Sequence, residues 1–495
     1  MTMDLLQSTN LEILQRSVVR QAGVEFALAR SGLQLQLLVF ASPDARIFEA
    51  FSGQSSDLAD GTLLTCSTNA QNAESLRCVL PWLRPQPLGL RTSAGLGDRL
   101  GLATPGHVRA IVATGGQILP VFTQQSIREN FRTGRTPRQV MDDATWGMFS
   151  EGWQGPFGAD ADHLKTTEDI DSCLACGYSF FTIDPGAYVD NRAEIASLTE
   201  LRRLAGALPV SVQSQACGLL GRIFRIEHLE IKLDEFTLLK ACVKYGQAVD
   251  HVARMYHYLM QAAGSQPVEL EVSVDETDQP TTHAEHVYIA SELQRLGVHW
   301  VSLAPRYVGR FEKGVDYIGN LNTFEVDFAG HAAIARHFGP YKLSLHSGSD
   351  KFSIYPIAAH LTRGLVHLKT AGTSYLEALR SVAAVNIPLF KEIYTFARAH
   401  YETDRISYHV SAELDRAPLP NAVIDWPSLL DQFDAREIFH VTFGSVLRHE
   451  ISDGSRPFYE AIMTLLQTNP EVYASNLEKH FIRHLTPFIP SSNVS

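Results

Sequence analysis

Short stretches in which apolar and polar residues alternate recur along this chain, separated by longer segments with helical periodicity. The clearest is YKLSLHSGSDK at 341–351, where Leu343 and Leu345 alternate with Ser344 and His346. Alternation with a period of two indicates a strand with one apolar face and one polar face. Short strands that alternate with helices indicate βαβ units and a parallel sheet.

Eight segments share this construction, and this number predicts an α/β fold of the (β/α)8 TIM-like barrel type. They lie at 157–165, 180–184, 268–276, 300–306, 341–351, 364–369, 406–411 and 438–443. The glycine-rich GLGDRLG at 95–101 is an alternative first strand, which would place 438–443 outside the barrel. A doubly wound open sheet is the alternative fold, but such sheets usually carry GxGxxG after a strand, and this motif is absent here.

The 495 residues suffice for one large domain with attachments. We expect an N-terminal α/β cap at 1–88, the barrel at 89–445, and C-terminal helices with a tail at 446–495. Residues 190–263 are long for one crossover and are predicted to be a helical insertion after the second barrel strand, with helices at 193–208 and 234–262. Residues 120–150 carry four arginines in a helical pattern and are interpreted as a solvated helical face.

Composition narrows the class of protein. The net charge is -12 and the pI is about 5.9, which argues against a nucleic-acid partner. No run of about 18 apolar residues occurs, so we expect no membrane partner. The N-terminus does not resemble a signal peptide, and six cysteines are sparse for this length, so a reduced, cytoplasmic location is expected. The oligomeric state stays open.

Ionisable residues collect where the predicted strands end. If apolar residues face the outer helices, the inward set is Thr182, Asp184, Asp275 (with Glu276 in the following loop), Ser302, Arg306, Ser344, His346, His367, Lys369, His409 and Ser411. Asp162 and His163 are adjacent and can both reach the mouth only where their strand ends and turns. Buried charges are costly unless they are paired or bind a metal, so this cluster predicts a site. Mixed nitrogen and oxygen ligands suit Zn, Mn, Co, Ni or Fe.

Each of these residues also has a structural interpretation. A histidine at a strand end can be hydrogen-bonded scaffolding, Asp184 can cap its loop, and Lys369 can pair with a carboxylate. The Cys173 and Cys176 pair is interpreted as packing, because no second pair accompanies it. His283 and His286 lie off the strands and are interpreted as solvated.

A metal site of this kind can polarise a carbonyl and stabilise an enolate, while one carboxylate acts as base and a second acid returns the proton. Arginine and lysine at the rim suit an anionic substrate carboxylate.

Six strings together resemble the tagaturonate/fructuronate epimerase family over residues 91–415: SAGLGDRLGLATPGH, GADADHLKT, EVSVDET, SLAPRYVGRFEKGVDYIG, KLSLHSGSDKFS and VHLKTAGTSYLEALR. The resemblance implies interconversion of D-tagaturonate and D-fructuronate, two hexuronates, with a divalent metal cation. It implies Asp162 as proton acceptor, Glu276 as proton donor, and His163 and His346 as metal ligands. For the third ligand we favour Asp316 over His367, although the strand-facing rule favours His367 or Asp275. The predicted substrate-binding residues are Arg99, Lys165, Arg306, His367 and Lys369.

The implied reaction leaves two mechanisms open. The inverted carbon is one carbon removed from the position next to the ketone, so the carbonyl does not acidify its C–H bond. Either the neighbouring C–C bond breaks in a retro-aldol step, or the carbon is deprotonated directly and reprotonated from the other side. Other functions also remain: a class II metal-dependent aldolase, a sugar-acid binding protein without turnover, and a metal-free barrel.

Overall fold

The computed structural model describes residues 11–58, 60–210, 212, 218–370 and 372–489. In chain order the strands are β1 (Glu12–Ile13), β2 (Val19–Gln21), β3 (Val24–Ser31), β4 (Gln34–Ala41), β5 (Gly53–Leu58), β6 (Gly61–Ser67), β7 (Ser93–Gly95), β8 (Leu119–Ser126), β9 (Gly158–Leu164), β10 (Phe180–Ile183), β11 (Ile223–Ile226), β12 (Leu229–Lys232), β13 (Glu269–Val274), β14 (Ser302–Pro305), β15 (Lys342–Leu345) and β16 (Val366–Lys369).

The α-helices of the described residues are α1 (Ala70–Val79), α2 (Thr104–Ala113), α3 (Ile127–Thr133), α4 (Pro137–Ser150), α5 (Thr167–Leu174), α6 (Leu198–Gly206), α7 (Glu235–Ala263), α8 (His283–Arg295), α9 (Leu321–Phe338), α10 (Tyr355–Thr362), α11 (Thr373–Val385), α12 (Ile387–Asp404), α13 (Phe433–Val441), α14 (Phe443–Arg448), α15 (Pro457–Thr468) and α16 (Pro470–Leu485). No helix of the described residues is both long enough and apolar enough to span a membrane.

Eight parallel strands close into a barrel in the order β7, β8, β9, β10, β13, β14, β15, β16 and back to β7. This confirms the predicted TIM-like fold. Two predicted strands are wrong, because 438–443 lies mostly in α13 and 406–411 is a short turn followed by irregular chain. Their places are taken by β7, which overlaps the alternative GLGDRLG segment, and by β8, which we had interpreted as helical.

The two errors have a physical cause. Every residue of β8 is buried, so the strand shows no alternation of apolar and polar positions. The apolar run at 438–443 is short, and periodicity alone does not separate a short buried strand from a buried helix.

Elsewhere the alternation rule is correct. The outward residues of β13 and β15, among them Leu270, Val272, Leu343 and Leu345, are almost completely buried in the apolar core. Their neighbours Glu271 and Ser344 are also buried, on the inner side of the barrel. The barrel interior therefore holds polar and charged side chains.

The N-terminal segment forms a six-stranded antiparallel sheet of β1–β6, followed by α1. A buried ion pair joins this part to the barrel helices, since Arg77 Nη1 on α1 lies 2.8 Å from Asp142 Oδ1 on α4. The sheet lies within the segment that we expect to be a cap. The boundaries at 88 and 445 stay predictions.

The insertion between β10 and β13 contains α6, the hairpin β11–β12 and α7. The two helices were predicted and the hairpin was not. The insertion follows the fourth barrel strand, not the second, because β7 and β8 precede those that we had counted.

Most of the chain after β16 is helical, and its helices pack against one another and against helices of the barrel. Helix α16 lies against α2 at Gly106, where an added Cβ would come within 2.6 Å of Leu477 Cβ. A larger side chain there would push the two helices apart.

Candidate active site

A cavity of about 570 Å³ opens at the carboxyl ends of the barrel strands. This is the end at which (β/α)8 barrels carry their chemistry. Seven predicted site residues line it: Arg99, Asp162, His163, Glu276, Arg306, His346 and Lys369. The two segments that we wrongly predicted as strands also line the cavity. Segment 406–411 contributes Tyr408 and His409, and segment 438–443 contributes His440.

His163, Asp275 and His346 form a group at the floor of this cavity, with one ligand atom of each within 4.8 Å of the others. The two imidazole centroids are 5.0 Å apart. His346 Nδ1 lies 3.1 Å from Asp275 Oδ1. Two imidazoles and one carboxylate are a common ligand set for a catalytic divalent metal.

The other ring nitrogens of the two histidines face carboxylates. His346 Nε2 lies 2.6 Å from Glu271 Oε1, and His163 Nδ1 lies 2.7 Å from Asp162 Oδ1. Carboxylates in this position orient metal-ligating imidazoles and make them better donors.

The electrostatics of the group also fit a cation. Burial lowers the pKa of His346, but the Asp275 and Glu271 carboxylates outweigh it and raise that pKa to about 10. Burial also lowers the pKa of His163, but the Asp162 carboxylate outweighs it, so the pKa of His163 is raised. The group therefore attracts positive charge, and a divalent ion would be held by His163, Asp275 and His346.

A local irregularity brings Asp162 and His163 to the same cavity. The register of β9 with β10 shifts between Phe181 and Ile183, and the backbone of His163 has φ = 57°. A bulge of this kind turns a side chain that regular alternation would point away. The turn that we predicted at the end of this strand is thus the feature that lets Asp162 and His163 both line the cavity.

Lys369 lies at the centre of a buried charge network beneath the metal-ligating group. Its Nζ lies 2.8 Å from Asp160 Oδ2, 2.6 Å from Asp162 Oδ1 and 2.8 Å from Glu271 Oε1. Burial lowers its pKa, but the three carboxylates dominate and hold that pKa well above 10.5. Asp162 is also buried, yet His163 and Lys369 hold its pKa well below 3.8. The Asp162 carboxylate is therefore ionised.

The cations at the rim differ in whether their charge is already paired. Arg99 donates Nε and Nη2 to Glu129 Oε1 at 3.0 and 2.6 Å and lies 3.6 Å over the Phe443 ring. Arg306 and Lys313 line the cavity and form no ion pair with the described residues. These two are the cations available to an anionic ligand.

Comparison with known proteins identifies the family of this chain. The family model described as tagaturonate epimerase matches residues 14–488. The chain belongs to the tagaturonate epimerase family. It is an isomerase of the epimerase class, and the resemblance seen in the sequence is confirmed.

Individual relatives cover nearly the whole chain. The tagaturonate/fructuronate epimerase of Thermotoga maritima is 42% identical over 478 residues, which are 96% of each protein. The native crystal structure of the fructuronate-tagaturonate epimerase UxaE from Cohnella laeviribosi is 36% identical, with a TM-score of 0.92 over 98% of this chain and 97% of that one. The crystal structure of that enzyme with one glycerol gives the same values.

One of the predicted metal ligands lies away from this group of residues. Asp316 does not join the histidines. It is exposed, and its Oδ1 accepts hydrogen bonds from Tyr317 N and Ser353 Oγ at 2.7 and 2.9 Å. Asp275, which the strand-facing rule had favoured, lies beside His346. We therefore replace Asp316 with Asp275.

Two of the predicted substrate-binding residues lie outside the cavity lining. His367 pairs in register with Ser344, so it lies one layer below His346, and its Nδ1 is 2.8 Å from Ser93 Oγ. Lys165 is 56% exposed and lies 3.2 Å from Asp184 Oδ2. The burial that makes His367 part of the barrel core also lowers its pKa to about 3.

Glu276 lines the cavity at its exposed rim, where Oε1 accepts a hydrogen bond from Arg128 Nη2 at 3.1 Å. Glu271 and Lys313 did not enter our predicted sets, and Asp275 entered them only through the strand-facing rule. Inward alternation along β13 was the available signal for Asp275 and Glu271. No local pattern marked Lys313, which lies on the loop after β14.

Proposed function

We propose that this chain interconverts D-tagaturonate and D-fructuronate at a divalent metal held by His163, Asp275 and His346. The observation that supports this most directly is the position of those three residues beside ionised Asp162 in a cavity lined by cations. Family membership supports the class of reaction, and the relatives from Thermotoga and Cohnella carry these substrates in their names.

The chemistry favours a retro-aldol step. Direct removal of the hydrogen would produce an unstabilised carbanion, because the inverted carbon is not adjacent to the ketone. Cleavage of the neighbouring C–C bond instead leaves an enolate and an aldehyde, and re-addition to the other aldehyde face inverts the carbon. A divalent cation, when bound, would polarise the ketone oxygen.

Within this scheme the carboxylates handle the hydroxyl proton. Asp162 is the proposed acceptor, since its carboxylate is ionised and lines the cavity. Lys369 Nζ and Gln124 Nε2 bind its two oxygens at 2.6 and 3.0 Å, which fixes its orientation and limits its basicity. Glu276, on the loop after β13, is the proposed donor when the C–C bond re-forms.

The substrate carboxylate needs a cation whose charge is not already compensated. Arg306 and Lys313 meet this condition among the described residues. Burial lowers the pKa of Lys313, and Arg128 and Arg99 add to that effect, whereas Glu129 opposes it. Binding of an anion would relieve the repulsion among these cations.

The activity is tested by a proton NMR spectrum of D-tagaturonate incubated with the protein and, in separate samples, Mn²⁺, Co²⁺, Ni²⁺ or Zn²⁺. We expect signals of D-fructuronate to appear, and to be lost after chelation. Free three-carbon fragments would instead indicate an aldolase, and binding without any isomer exchange would indicate a sugar-acid binding protein. Activity that survives chelation, in protein shown to contain no metal, would remove the metal from this proposal.

Isotope exchange separates the two mechanisms. In deuterated water, the retro-aldol route keeps the original hydrogen on the inverted carbon. Solvent deuterium at that carbon would exclude the route and support direct proton transfer.

The ligand set is tested with a matched pair of substitutions. We expect Asp275→Asn to lower both metal content and turnover, whereas Asp316→Asn keeps both. Elemental analysis after dialysis against the active metal measures the first quantity. The reverse pattern would restore Asp316 as the ligand and refute the assignment of Asp275.

A further inference from the structure

A second histidine cluster lies outside the barrel, between α8 and α9. It contains His283, His286, Asp327 and His331. Our interpretation of His283 and His286 as solvated is wrong, because His286 is fully buried and the His283 side chain is only 25% exposed. The proposed reaction uses none of these four residues.

Distances within the cluster match the separation of ligands around one ion. His283 Nε2 lies 3.6 Å from Asp327 Oδ1, and His331 Nε2 lies 3.7 Å from Asp327 Oδ2. These separations are too long for hydrogen bonds. Two ligands of a tetrahedral ion with bonds of about 2.1 Å are about 3.4 Å apart. His283 Nε2 also donates to the Asp327 carbonyl at 2.9 Å, and a bound ion would replace that proton.

The carboxylate of Asp327 is paired only with histidines in the part of the chain that the structure describes. Within the described residues its ion-pair partners are His283 and His331 alone, and neither lysine nor arginine approaches it. A mostly buried carboxylate that is paired only with imidazoles is a favourable place for a cation.

His331 carries a buried ring nitrogen, Nε2, that makes no hydrogen bond of good geometry with the described residues. The residue is 0% exposed, and its Nε2 has no partner in hydrogen-bond geometry among the described residues. Its Nδ1 lies 2.8 Å from His286 Nδ1, and His286 Nε2 lies 2.7 Å from the Tyr341 hydroxyl. This chain of contacts holds the ring with Nε2 toward Asp327. A buried polar atom without a hydrogen bond is rare in folded proteins, and a bound ion would satisfy it.

Gly330 leaves the space that the His283 ring occupies. A Cβ at this position would overlap the ring of His283 at Cε1 and Nε2. The glycine thus lets His283 lie directly on α9, next to the side chains of Asp327 and His331.

We propose that His283, Asp327 and His331 bind a divalent transition-metal cation of the zinc type at a structural site separate from the active site. Imidazole nitrogen with carboxylate oxygen is a ligand set that zinc accepts. The ion would join α8 to α9. It would also support the loop after β14, because Val308 N donates to Asp327 Oδ2 at 3.4 Å and the Tyr307 ring lies 5.6 Å from that of His331. Arg306, which lines the active cavity, begins this loop.

The test counts zinc per chain in untagged protein that has been stripped with a chelator and dialysed against Zn²⁺. Asp275→Asn removes a ligand of the proposed active-site metal, so the zinc that remains in this variant reports on the second site. We expect one equivalent in Asp275→Asn and none in the double variant Asp275→Asn with Asp327→Asn. The matched control replaces Asp327→Asn with Glu325→Gln, an exposed acid on the same helix, and keeps the equivalent.

Each outcome bears on one proposal. A folded Asp275→Asn variant without zinc would overturn the second site. Wild type could bind one equivalent of zinc that is lost in Asp327→Asn and kept in Asp275→Asn. That result would support the second site and refute zinc binding at the active site. Gly330→Ala in the Asp275→Asn background gives a second measurement, with at least a tenfold loss of zinc affinity expected. Circular dichroism verifies that each variant is folded, and unchanged zinc binding in folded Asp327→Asn and Gly330→Ala variants would refute the site.

Discussion

Replacement of Lys369 by methionine is the most informative perturbation of the barrel interior. The side chain is buried, and its ammonium group lies within 2.8 Å of one oxygen each of Asp160, Asp162 and Glu271. Methionine keeps most of the volume and removes the charge. The three carboxylates then remain in the barrel without their shared cation.

The expected cost follows from that geometry. Removal of one partner from a buried ion pair destabilises a protein by about 3–5 kcal/mol, because the other charge stays buried. The effect should also depend on pH. In the variant the carboxylates bind protons more readily in the folded state than in the unfolded state, so the free energy of unfolding falls as pH rises.

Urea unfolding followed by circular dichroism measures both effects, at about pH 5.5 and about pH 8. We expect the loss to be larger at the higher pH. Lys479→Met, at an exposed position, is the control and should change stability by less than about 1 kcal/mol. A loss in Lys369→Met as small as in this control, or one that does not vary with pH, would refute the charge-network interpretation.

Two further predictions follow from the site. Burial raises the pKa of Asp160 to about 7, so its contribution to stability is complete below about pH 4 and is lost as pH rises through 7. Asp160→Asn should flatten this slope in urea unfolding between those values, and an unchanged slope would contradict the shift. Arg306→Gln should raise the KM for D-tagaturonate about tenfold or more with little change in kcat, because it removes a charged hydrogen bond made in both ground and transition states. Arg222→Gln on the insertion is the control, and a fall in kcat alone would assign Arg306 to the chemical step.

The sequence by itself determined the fold class, the inward positions of the correctly predicted strands and the family, because these depend on local alternation and on contiguous strings. Leu343 and Leu345 mark one face of their strand whatever lies around it. The same local rule favoured Asp275, which is now our proposed third ligand, whereas the ligand set that we took from the resemblance contained Asp316.

Only the tertiary structure decided which inward residues meet. Register places His367 one layer below His346, and a bulge in β9 turns His163 into the cavity beside Asp162. Strand β8 was not predicted because it is buried on both sides, so its sequence does not alternate between apolar and polar residues. Register, bulges and burial on both sides depend on contacts between segments that are far apart in the chain. The sequence of one segment alone therefore does not predict them.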